Sequence, residues 1–93
     1  MDNEEIRARL LFALARNRKW GGSHTAYENM FRVFKSEALG KAGLKNVKNI
    51  AEELIREGFI IKKPTNYGLQ VSLNPRKAGE ISRLIKEQLG FDI

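Results

Sequence analysis

Five residues near the middle of the chain, Lys45-Asn46-Val47-Lys48-Asn49, set two amines and two carboxamides side by side with no acid among them. A carboxamide can exchange two hydrogen bonds with one planar partner, and an amine can meet an anionic oxygen or a pair of ring acceptors. Arg56 and the pair Lys62-Lys63 follow downstream, while Arg16, Arg18 and Lys19 form the densest cationic cluster, just before the single Trp20. The chemistry these residue types support is non-covalent binding of an anionic, edge-rich partner.

Bond-making chemistry finds no comparable set. There is no glycine-rich phosphate loop ending in Lys-Ser or Lys-Thr, no HExxH and no GxSxG. Gly40 and Gly43 stand three apart and follow no strand pattern. Glu52 and Glu53 are adjacent, so on a helix they splay by about 100° and cannot serve one bond as acid and base. His24 is the lone histidine and the chain has no cysteine, which removes thiol catalysis, disulfides and zinc-ribbon ligand sets. His24 therefore reads as a turn residue. The expectation is a protein that is not an enzyme and needs no metal or cofactor, with no motif marking a small-molecule effector.

Charge points the same way as the residue types. Seventeen Lys and Arg stand against eleven Asp and Glu, a net charge of +6. Such a balance favours anionic partners, nucleic acid above all, although ribosomal, membrane-surface and merely soluble domains share it. A length of 93 residues with 42% hydrophobic and 30% charged content fits one domain, 1–93, with a small core. No apolar run approaches the ~20 residues of a membrane span. Met1-Asp2-Asn3-Glu4-Glu5 is acidic where a cleavable export signal would be basic, so a cytoplasmic location is expected.

Hydrophobic spacing defines the elements that must position these groups. Ile6, Leu10, Leu11, Ala13 and Leu14 predict a helix over about 3–18, with Arg7, Arg9 and Arg16 on its other side and Gly21-Gly22 as its stop. Thr25-Ala26-Tyr27-Glu28 matches a capping box, and the stripe Tyr27, Met30, Phe31, Phe34 predicts a second helix over about 26–36 whose aromatics are core residues. Gly40 and Gly43 mark a tight turn. Leu44, Val47, Ile50, Ala51, Leu54 and Ile55 predict a helix over 44–57, stopped by Gly58. The period then changes to two, giving a hairpin over about 59–73 that turns through Pro64-Thr65-Asn66-Tyr67-Gly68. Asn74-Pro75 caps a last helix over about 76–89, lined by Ala78, Ile81, Leu84, Ile85 and Leu89 and ended by Gly90. The fold class is thus mainly α with a small β-hairpin (α+β).

That order carries a resemblance. The stretch Ser36-Glu37-Ala38-Leu39-Gly40-Lys41-Ala42-Gly43-Leu44, the helix Lys45 to Glu57, and the junction Leu54-Ile55-Arg56-Glu57-Gly58-Phe59-Ile60 resemble the helix-turn-helix and wing of winged-helix domains of the transcription-regulator type. The likeness covers residues 36 to 73, roughly two-fifths of the chain. It implies a winged helix-turn-helix: a three-helix core, a wing and a C-terminal helix. It also implies double-stranded DNA as partner, with the 44–57 helix in the major groove and the wing on the backbone.

Turning 100° per residue from the apolar stripe places Lys45, Asn49, Glu52, Glu53 and Arg56 outward, with Asn46 and Lys48 on the flanks. The candidate DNA-binding residues are therefore Lys45, Asn46, Lys48, Asn49, Arg56, Lys62 and Lys63. Asn66 and Tyr67 stand at the wing's tip, unless Tyr67 packs beneath the turn. Each basic feature has a plainer reading as well: Lys and Asn solubilise a helix face, lysines protect an edge hairpin from aggregation, and Arg16, Arg18 and Lys19 match a helix dipole. Trp20 is expected to lid the core. The last helix, with Phe91 and Ile93, has an apolar stripe that could pair with its copy in a homodimer or fold back on its own core. The other functional class compatible with the fold is an interaction module whose basic face docks a protein within a larger assembly.

Overall fold

The computed structural model describes all 93 residues. Three α-helices, a 3-10 helix and a three-stranded antiparallel sheet build an α+β fold in the order α1 (Asn3–Ala15), β1 (Thr25–Ala26), the 3-10 helix Tyr27–Phe34, α2 (Gly40–Arg56), β2 (Ile60–Thr65), β3 (Gly68–Leu73) and α3 (Ala78–Leu89). No helix is long and apolar enough to cross a membrane.

Helix α1 is the centre of the molecule. Asp2 caps its start, its carboxylate accepting from the Glu5 amide at 2.8 Å, and Glu4 and Glu5 sit where the helix dipole favours anions. Ile6, Ala8, Leu10, Leu11, Ala13, Leu14 and Ala15 are all buried, so the helix is enclosed on more than one side. Its end comes earlier than the glycines suggested. Lys19 N–H donates to Leu14 C=O and Arg18 N–H to Ala15 C=O, a Schellman turn with Arg18 in the left-handed region at φ 56°. The following residues are strapped to the end of β3: Leu73 N–H donates to Lys19 C=O at 2.7 Å, Gly21 N–H to Leu73 C=O at 2.9 Å, and the buried Ser72 hydroxyl to Gly21 C=O at 2.8 Å.

Two segments depart from their sequence-based expectation. Thr25 does not cap a helix; it pairs with Val71 in β1, on the far edge of a sheet ordered β1-β3-β2, and its hydroxyl accepts from the Asn29 amide. The residues after it form a 3-10 helix in place of the α-helix predicted over 26–36. Tyr27, Met30 and Val33, and likewise Phe31 and Phe34, recur every third residue, a spacing that suits three residues per turn. Helix α2 starts four residues before the predicted 44. Gly40 supplies the left-handed turn at φ 68°, but Gly43 lies inside the first turn, where a Cβ would fall 2.7 Å from Leu39 Cβ. Leu44 is consequently 46% exposed and not part of the core stripe.

The rest of the chain follows its pattern more closely, except that Ala78, expected on the core face of the last helix, is exposed. Val47, Ile50, Ala51 and Leu54 bury the inner face of α2. The hairpin pairs Ile60↔Leu73 through Thr65↔Gly68, so its turn is narrower than expected, only Asn66-Tyr67, with Gly68 at φ 111°. Pro64 lies within β2, which is tolerated because β2 is an edge strand. Asn74 accepts from Arg76 N–H at 3.0 Å, opening a 3-10 turn (Pro75–Lys77) into α3, and Gly90 ends that helix at φ 76°. Ile81 and Ile85 of α3 pack into the core with α1, and Phe91 stacks on Phe12 at 4.7 Å. Trp20 packs half-buried against the same core.

Candidate nucleic-acid interface

The first half of α2 presents its polar groups as its helical turn demands. Lys41, Lys45, Lys48 and Asn49 are solvent-exposed opposite the buried Val47, Ile50, Ala51 and Leu54, and Arg56 continues the exposed side toward the end of the helix. Asn46 sits on the flank next to α1, where its amide donates to Asn3 Oδ1 at 3.2 Å. Lys41 was hidden from sequence reasoning because the two glycines around it read as a loop. A helix starting at Gly40 adds it to the polar groups of the same half.

The acids of α2 are handled differently from its amines. Glu52, expected outward, is half-buried and accepts from the Tyr27 hydroxyl at 2.9 Å. Burial first, then this bond and the charges of Glu52 and Glu28, push the Tyr27 hydroxyl up to about 12. Glu57, just past the helix, takes a two-pronged bond from Arg7 of α1 at 3.1 and 3.2 Å. Only Glu53 remains exposed without a partner.

The same sorting runs through the whole chain. Among the seventeen Lys and Arg, only Arg7, Arg9, Lys77 and Lys86 stand in an ion pair. Helical spacing puts Arg7 and Arg9 on the side of α1 away from its apolar stripe. Even so, Arg7 is 15% exposed, lies over the Phe59 ring at 5.6 Å and bridges to Glu57, while Arg9 bridges Glu5 and Glu37 at 3.0 and 2.8 Å. Acidic charge is largely consumed inside the fold, and the cations of α2 and the hairpin are left facing water.

The hairpin places Lys62 and Lys63 on opposite faces, because Lys62 registers with Val71 and Lys63 with Gln70. Lys62 shares its face with the buried Ile60 and Leu73; Lys63 shares the other with Gln70. Tyr67 does not pack beneath the turn. It is 95% exposed at the tip, the most solvent-projecting large apolar side chain of the molecule, while Thr65 secures the turn by donating to Gly68 C=O at 2.7 Å. Arg16, Arg18 and Lys19 lie past the opposite end of α1 from Asn3 and Arg7, the residues that reach α2 and Glu57 behind it. His24 is half-buried in the loop before β1 without a side-chain hydrogen bond, and no three His, Asp or Glu gather in metal-binding distance.

Comparison of the chain with protein-family models, with curated proteins and with solved structures finds no match in any of the three.

Proposed function

We propose that this chain is a winged-helix domain that binds double-stranded DNA as a small transcription regulator, with α2 in the major groove and the β2–β3 hairpin along the backbone. The observation that carries the reading is the acid-free, unpaired and exposed first half of α2, set between a turn and a hairpin that is itself basic. The order helix, strand, helix, turn, helix, hairpin, helix supports the same architecture. In this reading Asn49 reads a base edge through its carboxamide, and Lys45 meets guanine acceptors or a phosphate. Lys41, Lys48, Arg56, Lys62 and Lys63 neutralise phosphates and fix register. Asn46, tied to Asn3, holds the flank of the helix against α1 and contributes from there.

The regulator acts as a homodimer in the same proposal, since one small domain reads few base pairs and two half-sites extend the site. With Ile81 and Ile85 turned inward, Phe91 and Ile93 remain about half exposed beyond α3, and these form the apolar part of the dimer contact. The test is fluorescence anisotropy of a labelled random duplex across a series of salt concentrations. Micromolar or tighter binding with a log–log slope of about −5 is expected from five or six phosphate contacts. Flat anisotropy at about 50 mM salt would overturn DNA as the partner and leave the basic face as a protein-docking surface.

A further inference from the structure

The molecule has a second basic region, apart from α2 and the hairpin, and this one is concave. A groove of about 450 Å³ opens between the end of α1, β1 and the 3-10 helix. Arg16, Lys19 and Arg32 line it together with Asn17, Thr25 and Asn29, and no carboxylate does. None of the three cations takes part in an ion pair or a side-chain hydrogen bond. Three like charges gathered around one recess repel one another, and the concave wall concentrates their field on whatever anion enters.

The uncharged groups narrow the class. Asn17 donates its amide to Ala13 C=O at 2.9 Å and Asn29 donates its own to Thr25 Oγ1 at 2.8 Å, which leaves two carboxamide oxygens as acceptors and the Thr25 hydroxyl proton as a donor. Inorganic phosphate, with only one or two P–OH groups near neutral pH, calls chiefly for donors. A groove with cations and acceptors together suits a molecule bearing both a multiply charged anion and hydroxyl or amino groups. Its volume lies within the range of about 300–1,000 Å³ common to small-ligand sites. Val33, Ala13 and Leu14 supply an apolar floor.

We infer that this groove binds a small phosphorylated molecule of the nucleotide or sugar-phosphate class. The assignment is independent of DNA binding, because no residue of α2 or the hairpin lines the groove. Thr25 links the groove to the sheet: it lines the site and pairs with Val71 of β3, the central strand and one arm of the hairpin.

Isothermal titration of the full chain with pyrophosphate, ADP and adenosine tests the inference. ADP is expected to saturate one site with Kd below about 1 mM, pyrophosphate to bind the same site several-fold more weakly because it lacks the hydroxyl and amino groups, and adenosine, which lacks the anion, to show no binding in the same range. Arg16→Gln and Arg32→Gln should each weaken ADP by about tenfold, the effect of removing one charge-assisted hydrogen bond, with Arg32→Lys recovering part of it. Arg83→Gln, an equal charge change on the exposed side of α3, away from both the groove and the proposed DNA face, should leave ADP binding within about twofold. Far-UV circular dichroism confirms that each variant is folded. No saturable binding of ADP or pyrophosphate to the wild-type chain would overturn the inference. So would an equal loss on Arg83→Gln, which would mean general charge attraction. A groove that serves nucleic-acid backbone phosphates instead would show Arg32→Gln losing duplex DNA while ADP fails to bind, and this too would refute a small-molecule site.

Discussion

The N-terminal half of α1 and the N-terminal half of α2 carry the same kind of charge and use it in opposite ways. On α1, Arg7 and Arg9 are drawn into pairs with Glu4, Glu5, Glu37 and Glu57, and so connect the helix to both ends of the region that contains α2. On α2, Lys41, Lys45 and Lys48 have no such partner. The difference follows from reach. An Arg on a central helix is surrounded by other elements whose acids can approach it, and a charge held partly out of water is costly unless paired. The outer face of α2 meets only water, so its amines stay available. Similar residue types thus divide into a clamp and a proposed contact surface by position alone.

The largest expected effect attacks the proposed contact surface. The triple variant Lys41→Gln, Lys45→Gln, Lys48→Gln should weaken duplex binding by about 100-fold or more at low salt and flatten the log–log salt slope by about 3, one for each phosphate no longer neutralised. Its midpoint in urea should hold, since exposed unpaired lysines contribute within about 0.5 kcal/mol. A large stability loss with unchanged DNA binding would reverse the roles assigned to the two helices.

Next comes the clamp. Arg7→Ala removes the two-pronged bond to Glu57 and the packing over Phe59, and should cost about 2 kcal/mol in urea unfolding, reduced from a fully buried pair because Glu57 is 47% exposed. Duplex binding should fall only as far as α2 loosens. Replacing Arg18 by Gly works in the other direction: it relieves a left-handed backbone at φ 56° and should stabilise the fold by about 1 kcal/mol.

The smallest effect concerns the acid that α2 turns inward. With its pKa raised from 10.0 to about 12, Tyr27 favours the protonated folded state, so its contribution is complete below pH 10.0 and is lost as pH rises through about 12. Phenolate absorbance should show this late transition, Tyr27→Phe should abolish it, and Glu52→Gln should lower its midpoint without removing the part due to burial. A transition unmoved by Glu52→Gln would mean the Tyr27–Glu52 bond does not hold in solution.

Much of this arrangement was legible in the residues. Val47 to Leu54 with Gly58 behind them defined the inner face of α2 and its end, and Asn74-Pro75 with Gly90 bounded α3, because caps and period agree locally. The two-residue β1 was not, since a strand that short exists only through its pairing with β3. The 3-10 helix was misread because apolar spacing over two turns hardly separates three residues per turn from 3.6. Gly40 and Gly43 each carry a different meaning, a left-handed turn and a close approach to Leu39, and composition treats them alike. On the proposed interface, Lys45, Lys48 and Asn49 lie exposed as helical turning places them, whereas the Asn46–Asn3 and Glu52–Tyr27 bonds join residues far apart in sequence. The groove at the far end of α1 was half visible: Arg16 and Lys19 stood out as a cluster, and Arg32 joins them only through the fold.

The most direct test is a map of amide chemical-shift changes on adding a short duplex to the isotopically labelled chain. The changes are expected to centre on Lys41 to Asn49 and on Lys62 to Tyr67, with the α1 clamp around Arg7 and Arg9 nearly silent. Changes centred on α1, or none at a duplex concentration that saturates anisotropy, would contradict the proposed interface.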